Sequence, residues 1–234
     1  AVIVDQDEVP GTGRAVEQAV AALPADFAGD VLVVNGDVPL LDASTLRELV
    51  AAHRAGGAAA TILSSFPADA TGYGRIVRTS EGHLDRIVEH KDASEAERAI
   101  GEINAGIYVF GAAALRDMLA SVTTDNAQGE KYLTDVIGLL REAGFDVDAL
   151  PVSESWLVEG INDRAQLSEA AARLNALVVR TWQLAGVTVQ DPATTWIDVT
   201  ATLEPDVTIL PGTQLRGATA IRTGATVGPD TTLL

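Results

Sequence analysis

The sequence predicts an α/β protein in two textures: a sheet domain of alternating strands and helices, then a long helix leading into the first coils of a parallel β-helix. Three observations carry that prediction. Short apolar runs rich in Val, Ile and Leu alternate with helix-period stretches over residues 1–162. One helical pattern then runs through Leu167, Leu174, Leu177, Val178 and Trp182, in the stretch 163–186. From 187 to 234 the period changes: Ile197, Leu203, Ile209, Leu215, Ile221, Val227 and Leu233 recur every six residues, with Ala201, Val207, Thr213, Thr219, Ala225 and Thr231 at the small corner positions between them. A hexapeptide repeat of this kind closes a triangular coil, each short strand turning one branched side chain inward.

With 234 residues and 47% hydrophobic content the chain can bury a sizeable core. A net charge of -17 with no Lys/Arg cluster argues against a nucleic-acid partner, whose phosphates it would repel. The absence of cysteine excludes disulfides, thiolate metal sites and cysteine nucleophiles. No run is long and apolar enough to span a membrane and no leader pattern is present, so a cytoplasmic protein without a membrane partner is the simplest expectation. Ala1-Val2-Ile3-Val4 reads as a strand, and Leu234 falls inside an unfinished repeat, so the chain reads as a piece of a longer one.

Taken in order, the opening strand is followed by Gln6 and the loop Val9-Pro10-Gly11-Thr12-Gly13-Arg14, then by Val16, Ala19, Val20 and Leu23 at helical spacing. Such a loop lets backbone N–H groups approach a ligand, though as a motif it is neither a P-loop nor a dinucleotide fingerprint. The run Val31 to Leu41 reads as a buried parallel strand carrying Asn35-Gly36-Asp37 at its carboxyl edge, where open α/β sheets place their ligands. A carboxylate there suits Mg²⁺, which takes few protein oxygens and shares its other positions with water and phosphates. Thr45 and Glu48 have capping-box spacing ahead of a helix ended by Gly56-Gly57, and His53 reads as a helix-face residue.

Ala59 to Leu63 makes another strand, and 71–78 with 84–92 makes two more, carrying Gly74 and Glu89. Ile103 to Phe110 is a strand with Asn104 near its start, an amide able both to donate to and accept from a hydroxyl. Helices are expected at 112–120 and 130–142, with Tyr132, Thr134 and Asp135 opening the second and the last two capping it. Val147 to Val152 follows, then Trp156 to Arg164, with Asn162 as the expected N-cap of the long helix.

Seven motifs in order, Gln6 with Gly11-Thr12-Gly13, Asn35 to Leu40, Gly72-Tyr73-Gly74-Arg75-Ile76, Ile87 to Ala93, Glu102 to Gly106, Asn126 to Asp135, and Val158 to Arg164, followed by hexapeptide repeats, resemble one family. It is the bacterial bifunctional enzyme joining N-acetylglucosamine-1-phosphate uridylyltransferase to glucosamine-1-phosphate N-acetyltransferase. The resemblance implies a Rossmann-like (GT-A-like) mixed-sheet nucleotidyltransferase domain and the start of a left-handed β-helix. It implies that Gln6, Gly11 and Thr12 hold the uracil. Asn35, Gly36 and Asp37 would line the substrate, and Asp37 and Asn162 would bind Mg²⁺ as the catalytic pair. Gly74, Glu89 and Asn104 would hold the N-acetylglucosamine, with Tyr132 and Thr134 beside it. The implied partners are UTP, N-acetylglucosamine 1-phosphate and UDP-N-acetylglucosamine. The resemblance also implies acetyl-CoA as the co-substrate of the second activity and a homotrimer for the intact protein.

The family's cationic glycine-rich opening loop corresponds to nothing in this chain, nor do the later β-helix coils that carry the acetyltransferase, so these residues alone are expected to lack useful turnover and to be marginally stable. Arg14 stands where the family commonly has histidine, and Asn35 at a variable position. Two alternatives stay open at this point: another sugar-phosphate nucleotidyltransferase, and a noncatalytic nucleotide-sugar-binding or β-helix oligomerisation module.

Overall fold

The computed structural model describes residues 1–234, and contacts divide it into two units, Ala1–Gly160 and Ile161–Leu234. In the first unit the elements run α1 (Thr12–Ala21), β1 (Asp30–Val33), α2 (Ala43–Gly56), β2 (Ala60–Ser65), β3 (Arg75–Arg78), β4 (Leu84–Val88), α3 (Glu95–Arg98), β5 (Ile103–Gly111), α4 (Ala112–Leu119), α5 (Asp135–Glu142) and β6 (Val147–Pro151). They form a mixed sheet in the order β4-β3-β5-β2-β6, with β1 also on β5. Only β2 and β6 pair in parallel; every other ladder is antiparallel. The Asp37 strand therefore differs from expectation. It is four residues long, antiparallel to β5, and half-exposed with Leu32 at 41%, because β5 alone covers it.

The sheet is organised by β5, which carries β2 along one edge and both β3 and β1 along the other. β3 meets β5 at Ile103, and β1 meets it from Tyr108 to Gly111. Between those contacts β5 bulges: from Asn104 to Tyr108 it advances four residues while β2, from Ser64 to Ile62, advances two. Gly106 takes the left-handed φ of +74 that the bulge needs, and a β-carbon there would collide with the Asn35 side chain. A main core lies under one face of the sheet and includes Ile62, Ile76, Phe110, Leu115, Leu133, Ile137 and Leu140. A second, with Leu49, Leu63, Ile107 and Val158, lies under the other. Each such fully buried Leu or Ile contributes about 2 kcal/mol from burial.

Several local expectations change. Ala1 to Val4 forms no strand; Val2 and Ile3 are 83% and 91% exposed, since no sheet edge reaches them to pair their backbone. Helix α2 is capped by Asp42, whose carboxylate accepts the Thr45 N–H at 2.7 Å, not by Thr45 itself. His53 lies buried on α2 with Nδ1 3.0 Å from Thr61 Oγ1, a core role as expected of a helix-face residue. The helix expected from 130 begins only at Asp135: the Lys131 backbone is engaged by the glycine loop, and Leu133 and Thr134 form a turn ahead of the helix.

The second unit begins with α6 (Arg164–Leu184), capped by Asp163, whose carboxylate accepts the Gln166 N–H at 2.9 Å; Asn162 is one residue too early to be the cap. Eight two-residue strands follow, β7 (Thr188–Val189), β8 (Trp196–Ile197), β9 (Thr202–Leu203), β10 (Thr208–Ile209), β11 (Gln214–Leu215), β12 (Ala220–Ile221), β13 (Thr226–Val227) and β14 (Thr232–Leu233). They stack in parallel on three faces, pairing each residue with the one 18 positions on in β8-β11-β14, β9-β12 and β10-β13. That is three hexapeptides per coil, as the repeat requires. Val189, Ile197, Leu203, Ile209, Leu215 and Ile221 fill the interior, and Val178, Val179 and Trp182 of α6 pack against it. The two units differ in period because each inward residue of the coil is followed by a corner, not by a strand neighbour.

Buried Asn175 ties α6 to the first coil: Nδ2 donates to the Thr195 carbonyl at 2.8 Å and Oδ1 accepts from the Ile197 N–H at 3.0 Å. Asn175→Ala orphans both backbone groups and is expected to cost the second unit about 2–3 kcal/mol. An unchanged denaturant midpoint for that unit would refute this account of the amide.

Candidate active site

Head to head along one edge of β5, the end of β1 and the start of β3 converge on the bulge. Continuing the β1 register places Asn35 opposite Gly106, where its side chain packs against the glycine. From the other direction the Gly74 carbonyl accepts the Asn104 N–H at 2.9 Å. The loops Asn35-Gly36-Asp37 and Gly72-Tyr73-Gly74 are thereby brought together, 35 residues apart in sequence. Asp37 is exposed, and a β-carbon on Gly160 would lie 3.2 Å from its Oδ2, so glycine leaves room beside the carboxylate. The Tyr73 hydroxyl lies in the same region: burial raises its pKa, and the charges of Glu159 and Asp37 reinforce the shift.

The glycine loop does something other than present a bare cradle. Gly13 N–H donates to the Lys131 carbonyl at 2.8 Å and Lys131 N–H to the Pro10 carbonyl at 2.9 Å, a short ladder closed by Leu133 N–H on Thr12 Oγ1 at 3.2 Å. Gly11, with φ +113, leaves no space for a β-carbon against the Lys131 backbone. Gln6 folds over this loop, its Nε2 donating to the carbonyls of Val9 at 2.8 Å and Gly11 at 3.2 Å. Arg14 is engaged by Asp7 and by Glu17, and that pairing holds the Asp7 carboxyl down at about 2. The loop thus positions the segment that carries Tyr132 and Thr134.

Thr134 stands at the N-cap of α5, yet its hydroxyl donates to Glu89 Oε1 at 2.9 Å instead of capping the helix. Tyr132 hydroxyl accepts from Gln128 Nε2 at 2.8 Å. Glu89 is half-buried beside Gly74, whose added β-carbon would lie 3.4 Å from its Oε2. Burial pushes the Glu89 carboxyl above its ordinary 4.5; Thr134 opposes the shift while Asp135, Asp92 and Glu130 add to it. Asn104 is buried and occupied at both ends, donating from Nδ2 to Tyr108 Oη at 2.7 Å and accepting the Gly106 N–H on Oδ1 at 3.0 Å. It retains one amide hydrogen and one lone pair for a ligand.

A raised carboxyl destabilises the folded chain once it ionises, so this share of stability is present below about 4.5 and is lost as pH rises through the elevated value. Glu89→Gln keeps an acceptor for Thr134 and removes the desolvated charge. We expect it to raise stability at pH 7 by about 1 kcal/mol, with no gain at pH 4. Thermal unfolding at the two pH values checks this; equal shifts at both would contradict it.

A family model described as nucleotidyl transferase matches residues 1–199. The chain belongs to the nucleotidyl transferase family. It is 88% identical over 226 residues to the bifunctional protein GlmU of Leifsonia xyli subsp. xyli, a match covering 97% of this chain and 46% of that protein. To the bifunctional protein GlmU of Clavibacter sepedonicus it is 60% identical over 233 residues, covering 100% and 47%. This nucleotidyl transferase chain spans about half the length of the curated relatives it matches. A solved structure from Bacillus anthracis assigned as a glucose-1-phosphate thymidylyltransferase shares its fold, with a TM-score of 0.53 at 17% identity over 72% of this chain and 62% of that one.

Within this nucleotidyl transferase the structure gathers Asn35, Gly36 and Asp37 with Gly74, Glu89 and Asn104, and sets Thr134 on Glu89. Gln6, Gly11 and Thr12 form a group at the Lys131 segment. Asn162 belongs to the second unit, where its N–H donates to Gln166 Oε1 at 2.6 Å. Sequence reasoning passed over Tyr73 and the bulge at Gly106. The signal for the bulge was a glycine inside a strand pattern.

Proposed function

We propose that the protein transfers a uridylyl group from UTP to N-acetylglucosamine 1-phosphate, giving UDP-N-acetylglucosamine and pyrophosphate. One observation carries the reading: the Asp37 and Gly74 loops converge at a bulge in β5 beside Glu89, which brings an exposed carboxylate and a set of hydroxyl-recognising groups to one edge of that strand. The motif resemblance supports this choice of sugar and base, as does 88% identity to a bifunctional relative.

In this reading Glu89 accepts from sugar hydroxyls while Thr134 holds one of its oxygens, and Asn104 and Gly74 offer polar groups from the bulge and the turn. Gln6, Gly11 and Thr12 are assigned to the uracil. An anionic phosphate oxygen of the sugar phosphate attacks the α-phosphorus of UTP, forming a new P–O bond as the bond to pyrophosphate breaks. The nucleophile is already charged, so catalysis is positioning and charge neutralisation, without a protein base.

The residues present fit Mg²⁺. Asp37 is an exposed carboxylate with room beside it at Gly160, a hard oxygen donor of the kind Mg²⁺ takes while sharing its other positions with phosphates. Asp37 would hold the ion, with Asn162 proposed from its motif alone; bound there, Mg²⁺ supplies charge stabilisation on the phosphates. Acetyl-CoA-dependent acetylation of glucosamine 1-phosphate, a left-handed coil and a homotrimer are proposed for the whole protein on the same resemblance, together with a cytoplasmic site of action. No helix is long and apolar enough to cross a membrane.

Calorimetric titration with UDP-N-acetylglucosamine, with and without Mg²⁺, tests the proposal. Binding that chelation weakens is the expected result; a folded chain that binds neither sugar nucleotide nor UTP overturns it.

A further inference from the structure

Arg75 is a buried charge that the roles above leave unused. Its side chain is 2% exposed, and no aspartate or glutamate pairs with it. Its one hydrogen bond runs from Nη1 to the Tyr73 carbonyl, and Nε meets no acceptor. Asp69 senses its charge but is itself occupied by the Thr71 N–H at 2.9 Å. His90, two residues past the end of β4, has a buried Nδ1 that also lacks a partner. A guanidinium withdrawn from water without a counter-ion is costly, and is kept where its fork fixes something else.

What Arg75 fixes is one peptide plane. The Tyr73 carbonyl and the Gly74 N–H belong to the same planar unit and point in opposite directions, so gripping the first aims the second. Gly74 is buried, its carbonyl is taken by the Asn104 N–H at 2.9 Å, and its own N–H meets no acceptor of this chain. Buried backbone N–H groups are almost always paired. An unpaired one beside Glu89 and Asn104 is a donor held for a ligand.

We propose that Arg75 is a positioning residue, holding the Tyr73–Gly74 peptide so that the Gly74 N–H donates to a hydroxyl or acetamido oxygen of the bound sugar. The inference rests on the sugar-nucleotide reading above. It makes the arginine's contribution specific to the sugar half of the ligand.

The chain, Arg75→Met and Arg75→Lys are titrated with UDP-N-acetylglucosamine and, separately, with UTP, while the Gly74 amide is followed by ¹⁵N NMR. In the unsubstituted chain the Gly74 amide shifts with the sugar nucleotide and not with UTP. Arg75→Met weakens the sugar nucleotide by about tenfold or more, changes UTP affinity by less than about twofold, and silences the Gly74 response. Arg75→Lys, retaining charge and one donor, falls between, and it decides the matter alone should the methionine variant not fold. Parallel weakening of both ligands, as an arginine with a merely structural role would give, overturns the proposal, as does an unaltered Gly74 response in both variants. An unsubstituted chain that binds UTP and ignores the sugar nucleotide instead overturns the reading of the site itself.

Discussion

Asp37→Asn is expected to lower the kcat of the proposed uridylyl transfer in the whole protein by about a hundred- to a thousandfold, with a much smaller change in KM for the sugar phosphate. The substitution keeps the size of the side chain and one oxygen while removing the negative charge. Asp37 is exposed, and no fold contact depends on that charge, so stability should move by no more than about 0.5 kcal/mol. Loss of turnover with an unchanged unfolding midpoint separates a metal-holding carboxylate from one that merely turns the chain. Raising Mg²⁺ should recover part of the loss. Near-normal turnover at low Mg²⁺ would refute the assignment.

Gly11→Ala should cost the first unit about 3 kcal/mol, whereas Gly36→Ala should lie within about 0.5 kcal/mol of the unsubstituted chain. Both glycines sit in short motifs that read alike from sequence. Gly11 has φ +113, a region essentially closed to other residues, and its β-carbon would come within 2.7 Å of the Lys131 nitrogen. Relieving that clash breaks the ladder from Pro10 and Gly13 to Lys131, and with it the placement of Tyr132 and Thr134. Gly36 has nothing within 4 Å of its added β-carbon. Denaturant unfolding of the two variants is the check, and equal costs would show that the loop tolerates rearrangement. Ligand affinity should follow stability only for Gly11→Ala.

Much of this was legible along the chain. Apart from Ala1 to Val4, which forms no strand, and the late start of α5, the strand and helix alternation, the long helix and the six-residue period emerged at about the expected places, because burial of apolar side chains imposes a period that survives most details of packing. What went astray was local. Asp42 capped α2 in place of Thr45, Asp163 capped α6 in place of Asn162, and Thr134 turned its hydroxyl to Glu89. In each case neighbouring side chains of similar chemistry competed for one role, and three-dimensional surroundings chose between them.

By itself the sequence determined most of the elements, the change of period and which polar groups were candidates for a sugar nucleotide. Only the tertiary structure decided that β1 runs antiparallel, that β5 bulges at Gly106, and that Asn35 and Gly74 arrive at that bulge from opposite ends. The reason is physical: periodicity reports which side chains leave water, but strand direction and register follow from which backbone edge is free to pair. No short-range pattern encodes that. The same limit hid Arg75, which in sequence is one more charged residue beside a glycine and in the fold is a buried cation gripping the peptide that presents Gly74.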